Sequence, residues 1–353
     1  MKIAVASLRF APGHLAHLRA YRELFLAIDC EVKLFLDGEY RSFMEDVPDT
    51  VFITDYKPIV EWKPDRVLSY NISPQNIQLA KKCKRSKIPF FYVLHEPWDS
   101  LKELMSMSKS FIPKRIIVHG VNYLIAKNAY KVILASDFGR DKYLRYMKGC
   151  NKNYDVFPLI FCDDYDSSVE VERKYFSFIG GFTKLRGCYQ FLDLIKYSIS
   201  EDNGVRFLIA TRSSIDSQIE DPVIKQAISD GRLSVYSGKP MTSKEINYHY
   251  RESICAWNAY ITSTQSGVLA NALMQGTPVI VTDRGDSADI VKDKRECRYI
   301  SLPHNNQEMI SAYQDIVNNL EEYVKNARQT FEQKYKYSVY VERAKKVFEI
   351  SKP

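Results

Sequence analysis

The chain has 353 residues, of which 45% are apolar and 26% charged, and a net charge of +7. At about 150 residues per domain this length predicts two domains, and the apolar share is enough for two cores, which excludes a disordered chain. Fourteen glycines and fourteen prolines exclude collagen-like and low-complexity architectures. The longest apolar runs, at 89–94 and 278–281, are strand-sized, so no helix is expected to cross a bilayer. The first residues lack the apolar core and cleavage site of a secretory signal, and a cytoplasmic protein is expected. Seven widely spaced cysteines, with no C-x-x-C pair, point neither to a disulfide framework nor to a zinc site. The positive charge is local: residues 101–150 hold ten Lys and Arg against three Asp and Glu. Such a patch suits one anionic surface better than polyanions at large.

In chain order, strands are predicted at 2–7, 31–36, 51–54, 66–69, 88–94 and 131–135, with helices at 15–28, 74–85 and 115–130. A further strand is predicted at 156–160. These strands are continuous Val, Ile, Leu and Phe runs, the pattern of strands covered on both faces. Beyond an acidic, polar stretch the alternation restarts, with strands at 175–179, 205–210, 233–237, 254–257 and 278–282 and helices at 189–199, 222–229, 243–252 and 267–275. Two long helices, 306–325 and 326–350, close the chain. The fold class is therefore α/β, with two doubly wound, Rossmann-like domains in tandem. The boundaries read as 1–162 for the first domain, 163–174 for a linker and 175–330 for the second. Residues 331–353 form a C-terminal helix that could pack back on the first domain. Ligands of open parallel sheets bind beyond the carboxyl ends of the strands, so an interdomain cleft is the expected active site.

The densest chemistry lies at 262–280. Thr262, Ser263, Thr264, Gln265 and Ser266 lead into a helix beginning at Gly267 and Val268. Free backbone N–H groups and the positive end of the helix dipole would there face an anion. The alternative is a plainly capped helix leading into a strand. The run Ser-Gly-Val-x-x-x-Ala-x-x-x-Gly-Thr-Pro-Val-Ile resembles the donor-binding signature of the retaining glycosyltransferases of family 4, which have the two-domain GT-B fold. That resemblance implies a diphosphate site at the helix N-terminus, built from Gln265, Ser266, Gly267 and Val268. The usual form of the signature carries two glutamates, and here their places are taken by Ser263 and Asn271. The chain is similar in this to the Gln-Ser-Gly-Val variant of polysaccharide-assembly members, with Asn271 left to meet a ribose.

About 80 residues upstream, a strand, a glycine turn and two cations are similar to the family's Gly-Arg-x-x-x-x-Lys-Gly element. Here the matching residues are Gly180, Gly181, Lys184 and Arg186. Gly181 stands in the arginine position and Arg186 in the lysine position, with Lys184 as a substitute cation. A nucleoside-diphosphate leaving group needs no side-chain nucleophile, but its developing charge must be neutralised. Cations and helix N–H groups can do that without a metal, so no metal and no cofactor beyond the nucleotide-sugar donor are expected. The alternative is a solvated turn with incidental cations. The turn Lys239, Pro240 and Met241 is the expected base pocket, or else an ordinary turn.

In the first half, His95, Glu96 and Trp98 follow a buried strand. The resemblance implies that His95 contacts the donor sugar, and it is the candidate catalytic residue; a lone histidine is otherwise often structural. Gly13 and His14 fall in a loop similar to the family's glycine-rich acceptor loop, and with Glu96 and Trp98 they make the acceptor side. The basic stretch 101–150, with Phe and Ile among its cations, suits an anionic membrane surface carrying a polyprenyl-diphosphate-linked acceptor, or is a solvated helix face. The 24 tyrosines and 18 phenylalanines are scattered, and no nucleic-acid partner is expected.

The expected protein is a metal-independent retaining glycosyltransferase of surface polysaccharide biosynthesis, possessing a nucleotide-sugar donor and a saccharide or lipid-linked acceptor, and peripheral on the inner membrane face. Alternatives are a single-domain transferase using Asp164-Tyr165-Asp166 as a metal clamp, a nucleotide-sugar epimerase of the same fold, and a non-catalytic nucleotide-sugar-binding subunit.

Overall fold

The computed structural model describes residues 1–42, 47–95, 97–100, 104–105, 109, 112–261, 267–283, 287 and 290–350. The chain divides into two compact units, Met1–Cys162 with Lys336–Pro353, and Asp163–Tyr335.

In the first unit, β1 (Lys2–Ser7), β2 (Glu31–Asp37), β3 (Thr50–Ile53), β4 (Arg66–Tyr70), β5 (Phe90–Leu94), β6 (Lys131–Leu134) and β7 (Tyr154–Val156) form one sheet of order β3-β2-β1-β4-β5-β6-β7. Each paired neighbour runs parallel. Alternate residues of β1 serve opposite cores. Ile3 and Val5 pack with α1 (Leu15–Leu26), whereas Ala4 and Ala6 pack with α3 (Pro74–Arg85) and α4 (Ile112–Asn128). Both faces are thus covered, which is why the strands read as unbroken apolar runs. Between these helices lies α2 (Lys57–Glu61), and α5 (Asp137–Tyr146) follows β6. Helix starts are set by side-chain caps: Ser73 accepts from Gln75 N ahead of Pro74, and Ser136 accepts from Gly139 N.

The second unit repeats the plan. Its strands are β8 (Tyr175–Ile179), β9 (Phe207–Ala210), β10 (Leu233–Tyr236), β11 (Ser253–Asn258), β12 (Val279–Thr282) and β13 (Cys297–Ile300), in the order β10-β9-β8-β11-β12-β13 and again parallel. Its helices are α6 (Cys188–Ser200), α7 (Pro222–Ser229), α8 (Ser243–Arg251), α9 (Gly267–Met274), α10 (Asn306–Asn318) and α11 (Leu320–Lys334). A capping box between Thr242 and Glu245 opens α8. Phe176, Phe178, Phe191, Phe207 and Trp257 centre one core.

Several elements differ from the sequence expectation. The strand predicted at 156–160 ends at Val156, because Pro158 has no N–H for the ladder, and Phe157 and Ile160 turn into the core of α1 instead. The closing helices are broken at Asn319 and again after Lys334, where the chain returns to the first unit through a bridge between Phe161 and Lys336. There α12 (Val341–Val347) places Ala344, Val347 and Phe348 in the α1 core. Residues 163–174, expected as a linker, group with the second unit: Asp163 holds Arg328 through two bonds of 3.0 and 2.9 Å.

Candidate functional site

In a doubly wound sheet the loops diverge where strand order reverses, and ligands bind there. The reversal lies between β1 and β4 in the first unit and between β8 and β11 in the second. Each carries a side-chain cluster.

At the second reversal, Gly180 and Gly181 follow β8. Gly180 has φ +117°, and a Cβ there would lie 3.1 Å from Val268 Cγ2 and 3.2 Å from Arg186 Nη1. Glycine therefore lets the turn, the Arg186 guanidinium and the first turn of α9 close on each other. Gly187 opens α6 at φ +78°, where a Cβ would sit 2.9 Å from Trp257 Cζ2. Arg186 is held at both ends: its carbonyl accepts from Trp257 Nε1 at 2.8 Å, and its guanidinium lies 5.4 Å from the Tyr260 ring. Among the described residues the guanidinium makes no ion pair. Lys184 lies exposed two residues before it. His304 stacks on Trp257 and donates to Ala259 O at 2.9 Å, and burial lowers its pKa.

The far end of α9 is anchored by two arginines. Arg173 donates to Ser253 O at 2.7 Å, Thr277 Oγ1 at 3.0 Å and Gln275 O at 2.8 Å. Burial lowers its pKa to about 10. Arg328 donates to Met274 O as well as to Asp163. Cations at the carboxyl end complement the dipole whose positive end is at Gly267. Asn271 lies one turn into α9 and is half-buried. Lys239, Pro240 and Met241 follow β10, the edge strand, two places from β8. Gln265 and Ser266, like Ser263, lie outside the described residues.

At the first reversal, Ser7 ends β1, Asn71 follows β4 and His95 follows β5. The His14 ring lies 5.0 Å from that of His95 and 5.2 Å from that of Tyr70, and His17 stacks on Tyr70 at 5.6 Å. His17 Nδ1 donates to Ile160 O at 3.1 Å. Its pKa falls to about 3, first through burial and then through the neighbouring His95 and His14. His14 Nδ1 meets Asn71 Oδ1, and Asn71 Nδ2 donates to Ser7 Oγ at 2.6 Å. Gly13 is exposed in the same loop, and Glu96 lies outside the described residues.

Trp98 stacks on His119 of α4 at 5.1 Å. Beside it, Asp99 accepts from Arg115 Nε at 2.5 Å, with His119 Nε2 at 2.9 Å and Lys142 Nζ at 3.8 Å. Burial alone would raise the Asp99 pKa, but bonds from His119 and Arg115 outweigh it and hold the carboxyl well below the usual range. Arg115 and Lys142 of the basic stretch thus belong to a buried ion cluster. The alternative metal motif is likewise engaged: the Tyr165 ring lies 4.5 Å from the Arg328 guanidinium, and Asp166 accepts from Ser168 Oγ at 2.6 Å.

Sequence reasoning missed Asn71, Arg173, Arg328, Tyr260 and Tyr40, whose OH lies 3.1 Å from Ser7 Oγ and accepts from Asn71 Nδ2 at 3.3 Å. An asparagine between a strand and Ser-Pro reads as a turn residue, and Arg173 stood in the expected linker.

Residues 173–319 match the family model described as glycosyl transferases group 1. Among solved structures the chain is similar to sucrose-phosphate synthase from Thermosynechococcus elongatus, with TM-score 0.72 and 13% identity over 99% of this chain and 98% of that one. It is similar to Anabaena HepE in complex with UDP, with TM-score 0.70 and 15% identity over 99% and 100% of the two chains. WaaG, a glycosyltransferase involved in lipopolysaccharide biosynthesis, matches with TM-score 0.69 and 11% identity over 98% and 99%. No curated protein matches the chain by sequence. The fold is GT-B, two parallel-sheet α/β domains in tandem. Together the domain match and the fold support a glycosyltransferase.

Proposed function

We propose that this protein is a metal-independent, retaining glycosyltransferase that moves a sugar from a nucleotide-sugar to a saccharide or polyprenyl-diphosphate-linked acceptor in surface polysaccharide assembly. One observation carries the reading: the Arg186 guanidinium and Val268 of α9 both close on the glycine turn after β8, and the guanidinium has no ion-pair partner among the described residues. A nucleoside diphosphate is the ligand such a cation at a helix start would hold, and Anabaena HepE binds UDP and UDP-glucose. Lys184 and the Gln265–Ser266 loop complete this diphosphate site in the proposal, Asn271 and the Lys239–Met241 turn take the nucleoside, and His95 contacts the reacting sugar. The first unit supplies the acceptor side through Gly13, His14, Glu96 and Trp98.

Arg186→Ala tests it. Loss of one charge-assisted bond, about 1.5–3 kcal/mol, should weaken UDP binding roughly tenfold to a hundredfold by calorimetry. His95→Ala should leave UDP affinity unchanged while lowering kcat. Activity should survive EDTA; loss in chelator, restored by manganese, would transfer the chemistry to a metal. Unchanged UDP affinity in a folded Arg186→Ala protein would remove the diphosphate assignment, and a protein that binds donor without transferring or hydrolysing it would be a binding subunit.

A further inference from the structure

Beyond β1, the backbone of residues 9–11 is held from beneath by two fully buried hydroxyl groups. Ser7 Oγ donates to Arg9 O at 3.0 Å. The Tyr40 hydroxyl accepts from Ala11 N at 3.0 Å and donates to Ala11 O at 3.0 Å. Phe10, between them, sets its ring edge-on to that of Tyr40 at 5.0 Å. Bonds of this kind, shielded from water, fix the loop before any ligand arrives.

The one charged side chain of this loop, Arg9, is exposed. It differs from other arginines of the first unit. Arg22, Arg115 and Arg140 meet carboxylates, and Arg66 and Arg343 donate to main-chain carbonyls. Among the described residues Arg9 makes neither contact. Asp37, which ends the neighbouring β2, gives its Oδ1 to Glu39 N at 3.0 Å instead. A Cβ on Gly13 would meet no atom within 4 Å, so the same loop leaves room for a ligand.

The loop stands at the reversal of strand order, where ligands of doubly wound sheets bind. A guanidinium has five donors and no acceptor, and its planar fork matches a carboxylate or a phosphate better than a lone hydroxyl. With the backbone already fixed, little ordering is lost when such a group binds. We propose that Arg9 is an anion-binding residue of the first unit, and that the saccharide this unit takes is acidic, carrying a carboxylate or a phosphate. That the ligand is a saccharide rests on the acceptor-side reading above; that Arg9 holds an anion does not.

Chemical-shift titrations of the full chain test both halves. Inorganic phosphate should move the amide signals of residues 9–11 in the unmodified protein and in Arg186→Ala, but at least tenfold less at equal concentration in Arg9→Gln. That variant keeps the carbonyl that Ser7 holds, so its Tm should be unchanged. Phosphate shifts that survive in Arg9→Gln, or that vanish in Arg186→Ala, overturn the anion site. Methyl glucuronide or glucose 1-phosphate should bind at least tenfold more tightly than the neutral methyl glucoside, with the preference shrinking in high salt and absent in Arg9→Gln. The tighter of the two acidic sugars identifies the group as carboxylate or phosphate. Equal affinity for acidic and neutral sugars, or no binding of any, overturns the acidic-saccharide half. Failure of the proposed function would appear elsewhere, as a protein that binds no UDP although Arg9 still takes phosphate.

Discussion

The two units share a strand plan and differ in what stands at the reversal of strand order. In the second, the turn after β8 is glycine, and the space that a side chain would take is filled by Arg186 and the start of α9. In the first, hydroxyl and amide groups of Ser7, Tyr40 and Asn71 converge with the rings of His14, His17 and His95. Of the cations of the first unit, Arg115 and Lys142 stand on Asp99, and Lys114 and Lys127 on the exposed face of α4. One topology thus carries a guanidinium beside a glycine turn at one reversal and hydroxyl, amide and imidazole groups at the other, and side chains on loops decide which.

The largest effect should come from Arg173, because its role has no counterpart in the first unit. It satisfies acceptors at the ends of α8 and α9 and in β11, with no carboxylate partner among the described residues. Arg173→Met would leave these acceptors buried and unbonded, at a cost of about 3 kcal/mol. Hydrogen-exchange protection should fall across β8–β13 and stay unchanged across β1–β7. Equal loss in both units would show that their stabilities are not separable, and no loss would mean that α9 needs no anchor at its carboxyl end.

How far these clusters were legible follows from how local their signals are. The Gly180–Gly181 turn, Arg186 and the start of α9 could be read because each is a short motif with a charge or a missing Cβ. The parallel sheets could be read because both-face burial leaves unbroken apolar runs. Asn71 could not, since its partner Ser7 is 64 residues away and the two meet only because β1 and β4 are neighbours. Strand β13, Cys-Arg-Tyr-Ile, is half polar because Arg298 reaches out to Asp293 and Asp315, so its apolar signal is weak. Helix α5 was missed for a similar reason: its charged residues leave only a narrow buried face on Gly139, Lys142 and Tyr143.

A second, smaller effect separates the units by pH. The folded pKa of His17 is depressed from 6.5 to about 3, so between those values the unfolded chain binds the extra proton. Stability then falls as pH drops through 6.5 toward 3, by about 1.4 kcal/mol per pH unit for this group. Above pH 6.5 the group contributes no slope. Urea unfolding of the first unit at pH 6.5 and pH 5 should therefore show a steeper loss in the unmodified protein than in His17→Gln. Identical slopes would mean that the His17 ring is protonated in the folded state.

The smallest effect concerns where the first unit places its remaining cations. Helix α4 has no Asp or Glu, and its outer face exposes Ile116 (50%), Ile117 (67%) and Leu124 (45%) between Lys114 and Lys127. Exposed apolar residues flanked by lysines are the composition of a helix lying at an anionic bilayer surface. Arg115, on the same helix, does not belong to that face, because Asp99 holds it. Lys114→Ser and Lys127→Ser should each weaken binding to vesicles of phosphatidylglycerol and phosphatidylcholine by roughly fivefold, with the loss shrinking in high salt. Arg115→Ser should instead lower the stability of the first unit. Neither lysine change should touch UDP affinity, since the cation proposed to serve the nucleotide, Arg186, stands in the second unit. Vesicle binding that ignores both lysines would return α4 to an ordinary solvated face, and a parallel loss of UDP affinity would show that the two sets of cations do not act apart.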